Sequence, residues 1–576
     1  MKKLLALLLM LTFAIVLVGC TDKDAAPTSI TITGPVEVVA GKTIDLTATV
    51  SPEKAKQTVT WTSNNPDVAA VDATTGKVTG VKAGGVVITA KSTVDESITR
   101  QHGVTVKVEQ TVDYPDLGGY TIKIAHSVPA ESDPFSEKYV AADKEARQQA
   151  WNEVETLYNV KFVVETFDEK YAWGPPRWQY LIDQAAANTS DYDFVSVPDD
   201  KIGLLVEGNT LIDVSTWYAA YGNGFLDPTY QFSGTYKGKL YSIIDGEAGL
   251  NNVMYYNVNL VNELIESGHL TKTPAQIFNE GNWTYDTFVE YAIDAQAGLN
   301  AKFATELAAD AKFDTYAVSG YSTYYWVGMT NAGGVGLVNP SNLTVHFQDP
   351  VAVQAAEALK AIADGKAMRP GRTVDGVITS GMFNAFTKGQ GVFDTGDMWF
   401  IRHNLRWPAN MWGEDTKYGY VPFPRPEGTT KESHKVAMGG TAVYVMPIGR
   451  DYSGFGEASA ENVYRAFTHT MLLTEELRKS SADYNPAQAR LDYANKLTDS
   501  EDSKAALLYI YDRMDEISFF DPMSLPTNPV ANTYGDAFGG SFHNYVTGAS
   551  GGAATFAEAI GPHVARLQES LTKAYS

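Results

Sequence analysis

The sequence changes character near residue 110, and no single folding pattern serves both sides of the change. From about Pro27 to Val108 it is rich in Thr and Val, nearly free of aromatics, and punctuated by turn pairs such as Asn65-Pro66, Thr75-Gly76 and Gly84-Gly85. Short alternating stretches between such turns can bury one face each, which predicts a β-sandwich over residues 27–108. Past a linker at 109–119 the pattern becomes strand, helix, strand. Thr121–Ala125, Val160–Glu165 and Asp193–Val197 read as strands, and Lys144–Tyr158 places Ala150, Trp151, Val154, Leu157 and Tyr158 on one helical face. With a further helix at about Trp178–Ala187, this alternation predicts a parallel, doubly wound sheet. A helix over Val351–Asp364 is marked by Asp349 as cap, Pro350 in the first turn and Gly365 at the end, and Glu461–Leu473 is patterned as another.

Cys20 is the only cysteine of the 576 residues, so no disulfide framework or thiolate metal site is possible, and packing must hold the fold. An apolar content of 44% supplies enough material for several cores. Cys20 follows Lys2, Lys3, the apolar run Leu4–Val18 and Gly19, which reads as an export leader. That run is shorter than the roughly 20 residues of a membrane-spanning helix. Leu17-Val18-Gly19-Cys20 resembles the lipobox of bacterial lipoproteins. The resemblance implies loss of residues 1–19, diacylglycerol on the Cys20 thiol, a lipidated tether over 20–26, and a place on the outer side of the cell membrane; a Gram-positive host is expected, because there an anchored receptor stays beside an importer of the inner membrane. Loss of Lys2 and Lys3 takes the net charge from −23 to about −25, a surface that disfavours nucleic acid and anionic headgroups.

Within the β-rich segment, Leu46-Thr-Ala-Thr-Val-Ser-Pro52, Val59-Thr-Trp-Thr-Ser-Asn-Asn-Pro-Asp-Val-Ala69 and Gly76-Lys-Val-Thr-Gly-Val-Lys-Ala-Gly84 resemble a group 2 bacterial immunoglobulin-like domain, which implies that Trp61 sits in the sandwich core. Such modules serve as spacers or adhesive units, and the position next to the anchor favours a spacer. Further on, Gly238-Lys-Leu-Tyr-Ser-Ile-Ile244, Val253-Met-Tyr-Tyr-Asn257, Trp283-Thr-Tyr-Asp-Thr-Phe288, Phe383-Asn-Ala-Phe-Thr-Lys-Gly389, Gly391-Val-Phe-Asp394 and Val421-Pro-Phe-Pro-Arg-Pro426 keep the order seen in extracellular solute-binding proteins of the sugar-type ATP-driven importers. This resemblance, over about Gly118–Ser576, implies two α/β lobes of the periplasmic-binding-protein type in residues 120–576. They would close on an oligosaccharide and present it to the permease subunits of an ABC transporter. Its opening strand departs from the family in running into Ala125-His126-Ser127.

A sugar presents hydroxyls around an apolar face, so its receptor needs aromatic platforms and hydrogen-bonding groups. Trp399 and Trp326 are the aromatic candidates, at positions where the family commonly places a ring, with Tyr325 beside the latter. Asp199 follows the strand that ends at Val197, where facing a cleft and capping a helix are both open. Gly440 would let backbone approach a ligand or hinge. Asp397, Glu131 and Arg402 complete the set, and a surface salt bridge would account for each equally well. Enzyme chemistry finds little footing. The nine histidines are never closer than twenty residues, P-loop and dinucleotide glycine patterns are missing, and Gly548-Ala-Ser-Gly-Gly552 lacks the strand and helix that a nucleophile elbow requires. No catalytic residue, cofactor or metal is expected. A peptide-binding receptor of the same architecture, a surface glycoside hydrolase and an adhesin are the alternative readings.

Overall fold

The computed structural model describes residues 25–107, 113–139, 141, 143–172, 174–244, 252–320, 322–339, 344–370, 372–374, 377–379, 385–397, 407–408, 410–438, 442–481, 484–513, 518–520, 537–548 and 553–575. The chain divides into two compact units, residues 1–113 and 114–576.

In the first unit, turn residues separate nine short strands: β1 (Ser29–Thr33), β2 (Glu37–Val39), β3 (Thr43–Asp45), β4 (Thr47–Ser51), β5 (Val59–Ser63), β6 (Ala69–Val71), β7 (Lys77–Gly80), β8 (Gly84–Ser92) and β9 (Thr99–Lys107). They form sheets of order β2-β9-β8-β5 and β3-β7-β6, with β1 paired to β4. Alternation along β8 turns Val86, Ile88 and Ala90 inward, where they meet Val104 and Val106 of β9. Trp61, opposite Ala90 in the register, is 3% exposed in the middle of this core, as the immunoglobulin-like resemblance implies.

The second unit begins inside the stretch read as linker. Leu117 is fully buried and its amide donates to the Tyr158 carbonyl, while Tyr114 stacks on His469. Apolar residues this close to a core are drawn into it, so residues 114–119 fold as part of the first lobe. That lobe opens with β10 (Tyr120–Ala125), α1 (Lys144–Tyr158), β11 (Val160–Glu165), α2 (Pro175–Ala187) and β12 (Phe194–Pro198). Both β11 and β12 run parallel to β10, as the alternation predicts. After β13 (Ser242–Ile243) the chain enters a second sheet through β14 (Asn252–Asn257). It continues with α3 (Tyr285–Lys302), β15 (Tyr316–Val318), α4 (Ser322–Ala332), α5 (Pro350–Asp364), β16 (Gly391–Asp397) and β17 (Tyr418–Val421). The Asp349 carboxylate accepts from the Val351 amide at 2.9 Å and caps α5 as expected.

The chain then returns. β18 (Ala442–Val445) inserts antiparallel beside β12, and α6 (Ala460–Ser480), longer than the pattern suggests, packs Val463, Tyr464, Phe467 and Met471 on the first lobe. A last passage leads to α7 (Glu501–Tyr511), α8 (Ala537–Thr547) and α9 (Phe556–Tyr575), whose apolar residues join the second core. Strand order is β11-β10-β12-β18-β13 in one sheet and β15-β16-β14-β17 in the other. This is the two-lobed α/β arrangement, with the chain passing between lobes after β13, before β18 and after α6. Among the described residues no helix is long and apolar enough to cross a membrane.

Two glycines of the sandwich separate strain from crowding. Gly41 has φ +84° with open space around it, whereas Gly76, at φ +76°, would set a Cβ 2.6 Å from the Leu46 carbonyl and 2.8 Å from the Trp61 ring. Gly41→Ala should therefore lose only about 1–2 kcal/mol of left-handed strain, and Gly76→Ala clearly more. Thermal unfolding of the two variants checks this, and equal losses would contradict it.

Candidate ligand site

In open α/β sheets, ligands bind beyond the carboxyl ends of the strands, because loops there can present side chains without disturbing the core. In the first lobe that edge carries His126-Ser127-Val128 after β10 and Asp199 after β12. Arg177 of α2 braces it. Its guanidinium is buried, lies 3.9 Å over the Phe167 ring, donates from Nη1 to Ser127 Oγ at 2.9 Å and from Nε to the Tyr171 carbonyl at 3.0 Å, and bonds the Ala172 carbonyl through Nη2. Burial pulls its pKa down to about 10, so it stays charged at neutral pH.

Beside this edge lies a cavity of about 90 Å³ lined by Ser132, Tyr139, Arg147, Trp151, Tyr444, Phe467, Thr470 and Met471. Each element contributes for a local reason. Val443 and Val445 of β18 point into one core, so strand alternation sends Tyr444 to the opposite face, against Phe467 at 5.4 Å. Trp151 and Arg147 are one helical turn apart on α1 and share a face. Ser132 and Tyr139 come from the loop between β10 and α1, and the Ser132 hydroxyl meets the Tyr444 hydroxyl at 2.5 Å. Flat rings thus wall the space, with hydroxyls and one guanidinium at its rim.

In the second lobe a polar cluster occupies the corresponding edge, at the ends of the parallel pair β15 and β16. Gly320, at φ +87°, is required there, since a Cβ would fall 2.1 Å from Asp394 Oδ1. The Asp394 carboxylate accepts from the Thr395 amide at 2.7 Å. Ser319 Oγ, Thr395 Oγ1 and the Tyr325 hydroxyl are buried without a hydrogen-bond partner among the described residues. At the start of α4, Ser322 Oγ and His543 Nδ1 are 2.9 Å apart. Among the described residues no group of His, Cys, Asp and Glu is placed to hold a metal ion.

Comparison with known proteins bears on the two units unequally. Residues 26–99 match the family described as bacterial Ig-like domain (group 2). An 87-residue stretch is 42% identical to part of a 3-O-α-D-galactosyl-α-L-arabinofuranosidase from Bifidobacterium longum subsp. longum, covering 15% of this chain and 7% of that protein. An 88-residue stretch is 42% identical to part of an Ig-like virion protein of Serratia phage KSP90, covering 15% of this chain and 34% of that one. The chain therefore spans only a minor part of either curated relative. Among solved structures, a substrate-binding protein of an ABC transporter from Listeria monocytogenes in complex with cycloalternan is 13% identical, with 80% of this chain and 100% of that one covered at a TM-score of 0.46. The cyclic α-maltosyl-1,6-maltose binding protein from Arthrobacter globiformis is 13% identical, with 79% and 100% covered at a TM-score of 0.49. The galacto-N-biose/lacto-N-biose I-binding protein from Bifidobacterium longum is 13% identical, with 80% and 100% covered at a TM-score of 0.46.

The residues singled out from sequence fare differently. Trp326 is not a cleft platform: it is fully buried, donates from Nε1 to the Ala352 carbonyl at 2.7 Å, and packs against Phe347 and Phe542 at 5.0 and 5.1 Å. Tyr325 is likewise a core ring, between Phe288 and Phe423, and only its hydroxyl belongs to the polar cluster. Helix α4 is buried on all sides, so no polar face marked which of its rings point where. Asp199 is 2% exposed in a short turn after β12. Glu131 ends the turn Pro129–Glu131, next to Ser132 of the cavity, and Asp397 ends β16. Trp399, Arg402 and Gly440 lie outside the described residues, as do Cys20 and the loop 549–552. Sequence reading missed Ser132, Tyr139, Arg147 and Tyr444. The one signal available was Tyr444 interrupting the aliphatic run Val443–Val445.

Burial, with Arg369 nearby, lowers the His543 pKa to about 4. An unfolded histidine titrates near 6.5, so the folded state rejects a proton that the unfolded state accepts below that pH. Stability from neutral His543 is thus complete above about pH 6.5 and shrinks as pH falls toward 4, by up to about 3 kcal/mol. Urea unfolding at pH 7 and pH 5 should show this loss in the native protein and a smaller one in His543→Gln. Identical pH dependence in both would exclude the assignment.

Proposed function

We propose that residues 120–576 form an extracellular receptor that captures an oligosaccharide between two lobes and delivers it unaltered to the permease of an ABC importer. The cavity of the first lobe, between its sheet, α1 and α6, carries this reading. The ring of Tyr444, backed by the buried Trp151 and Phe467, offers a face to C–H surfaces, while the hydroxyls of Ser132 and Tyr444 offer hydrogen-bonding oxygens. The three passages of the chain between the sheets support closure, because a ligand that touches both lobes binds the shut form more tightly than the open one. Isothermal titration with a panel of neutral oligosaccharides tests the reading. Binding without turnover is expected, and Tyr444→Ala should weaken it at least about tenfold, or 1.4 kcal/mol, with the fold retained. Release of cleaved product would turn the reading to a hydrolase, and binding of peptides alone would turn it to a peptide receptor.

We propose further that lipid on Cys20 holds the protein on the outer face of the cell membrane, with residues 27–108 as a spacer. The leader and the lipobox-like Leu17-Val18-Gly19-Cys20 support this. Two or more acyl chains anchor stably where one does so marginally. Fractionation of cells expressing Cys20→Ala should find the protein in the medium, and retention in the membrane would refute the anchor.

A further inference from the structure

We propose that Asp143 sets the site to accept an uncharged saccharide, by keeping Arg147 in an ion pair that leaves the cavity without an available positive charge. The inference rests on reading the cavity as the ligand site, and it adds the charge class of the ligand.

Arg147 is the only cation among the described residues that line the cavity. Left to itself, a guanidinium at such a rim would select a carboxylate, because its planar fork matches two oxygens at once. Here the fork is taken. Arg147 donates to Asp143 Oδ2 from Nη2 at 2.7 Å and from Nε at 3.2 Å, and Asp143 Oδ1 accepts from the Tyr139 hydroxyl at 2.9 Å. The side chains of the pair are 18% and 21% exposed, so water screens them less than an open surface pair.

The position of Asp143 adds a second argument. It is the N-cap residue of α1, where an aspartate ordinarily accepts from a first-turn amide and stabilises the helix. Asp143 makes no such bond, and its backbone, at φ −89° and ψ 8°, lies outside the extended region that a capping residue adopts. The carboxylate forgoes the helix end and turns to Arg147 and Tyr139 instead. An acidic sugar entering the cavity would have to displace Asp143 from Arg147 and then sit beside the stranded carboxylate. A neutral sugar needs neither step, because its C–H face can lie on the Tyr444 ring while its hydroxyls bond the Ser132 and Tyr444 hydroxyls. Asp143 is thus a positioning residue acting through Arg147.

Asp143→Asn tests this in the full-length chain, since the amide keeps the shape and a hydrogen-bonding oxygen for Tyr139 while removing the charge. Calorimetric titrations would use maltotriose, cellotriose and galactotriose as neutral probes and trigalacturonate as the acidic one. The native protein should bind at least one neutral probe and show no measurable affinity for trigalacturonate. The Asp143→Asn variant should gain at least about tenfold in trigalacturonate affinity, in a salt-sensitive way, with neutral binding changed less than about threefold. Adding Arg147→Gln should abolish the gain. A variant that only lost helix stability would weaken both ligand classes together and gain nothing, which would overturn the proposal provided circular dichroism shows the native fold. Strong trigalacturonate binding by the native protein would overturn it too, while leaving the receptor reading intact. If the native protein binds no probe of either charge, the receptor reading falls, and this inference with it.

Discussion

The pairing of Ala442–Val445 with Phe194–Pro198 is the contact on which the second unit depends. It places a strand from far along the chain in the middle of the first sheet, between β12 and β13. The first lobe therefore cannot complete its sheet until the chain has built most of the second lobe and returned. Such a long-range pairing is slow to form, because its loop-closure entropy is lost before any contact rewards it. Once made, it joins two separate cores by a few crossing segments. It also delivers Tyr444 to the cavity, since the same alternation that buries Val443 and Val445 turns Tyr444 to the other face.

That topology sets the division of labour between the lobes. Each keeps its own apolar core, built from residues of its own elements. The polar groups gather where the strands end. In the first lobe they are paired with one another: Arg147 with Asp143, Tyr139 with Asp143, and Ser132 with Tyr444. The second lobe instead holds buried hydroxyls of Ser319, Tyr325 and Thr395 without a partner among the described residues. A buried hydroxyl without a partner costs about 1–3 kcal/mol, which makes this edge the more demanding of the two for hydrogen bonds.

Local signals were legible wherever one face of an element meets solvent. Helix α1 carries a stripe of apolar residues and α5 carries Asp349, Pro350 and Gly365 as end marks, so both agree closely with expectation. The sandwich strands show period-two burial for the same reason. Where burial is complete the signal disappears. Every described face of α4 is enclosed, so Tyr325 and Trp326 look in sequence like available rings and prove to be core. The linker misled in the opposite sense, because its Asp, Pro and Gly disguised Leu117, which is fully buried.

What the sequence determined alone is whatever depends on neighbours within a few residues: two folding regimes, the identity of the β-sandwich, helices α1, α2, α5 and α6 with the cap of α5, and the parallel start of the first sheet. Periodicity and capping are short-range physics, and each is written next to where it acts. The insertion of β18, the three crossings and the cavity were decided by tertiary structure. They join Ser132 and Arg147 to Tyr444 and Phe467, which lie about 300 positions further along the chain. No local rule pairs such residues; only the return of the chain into the first sheet brings them to one wall.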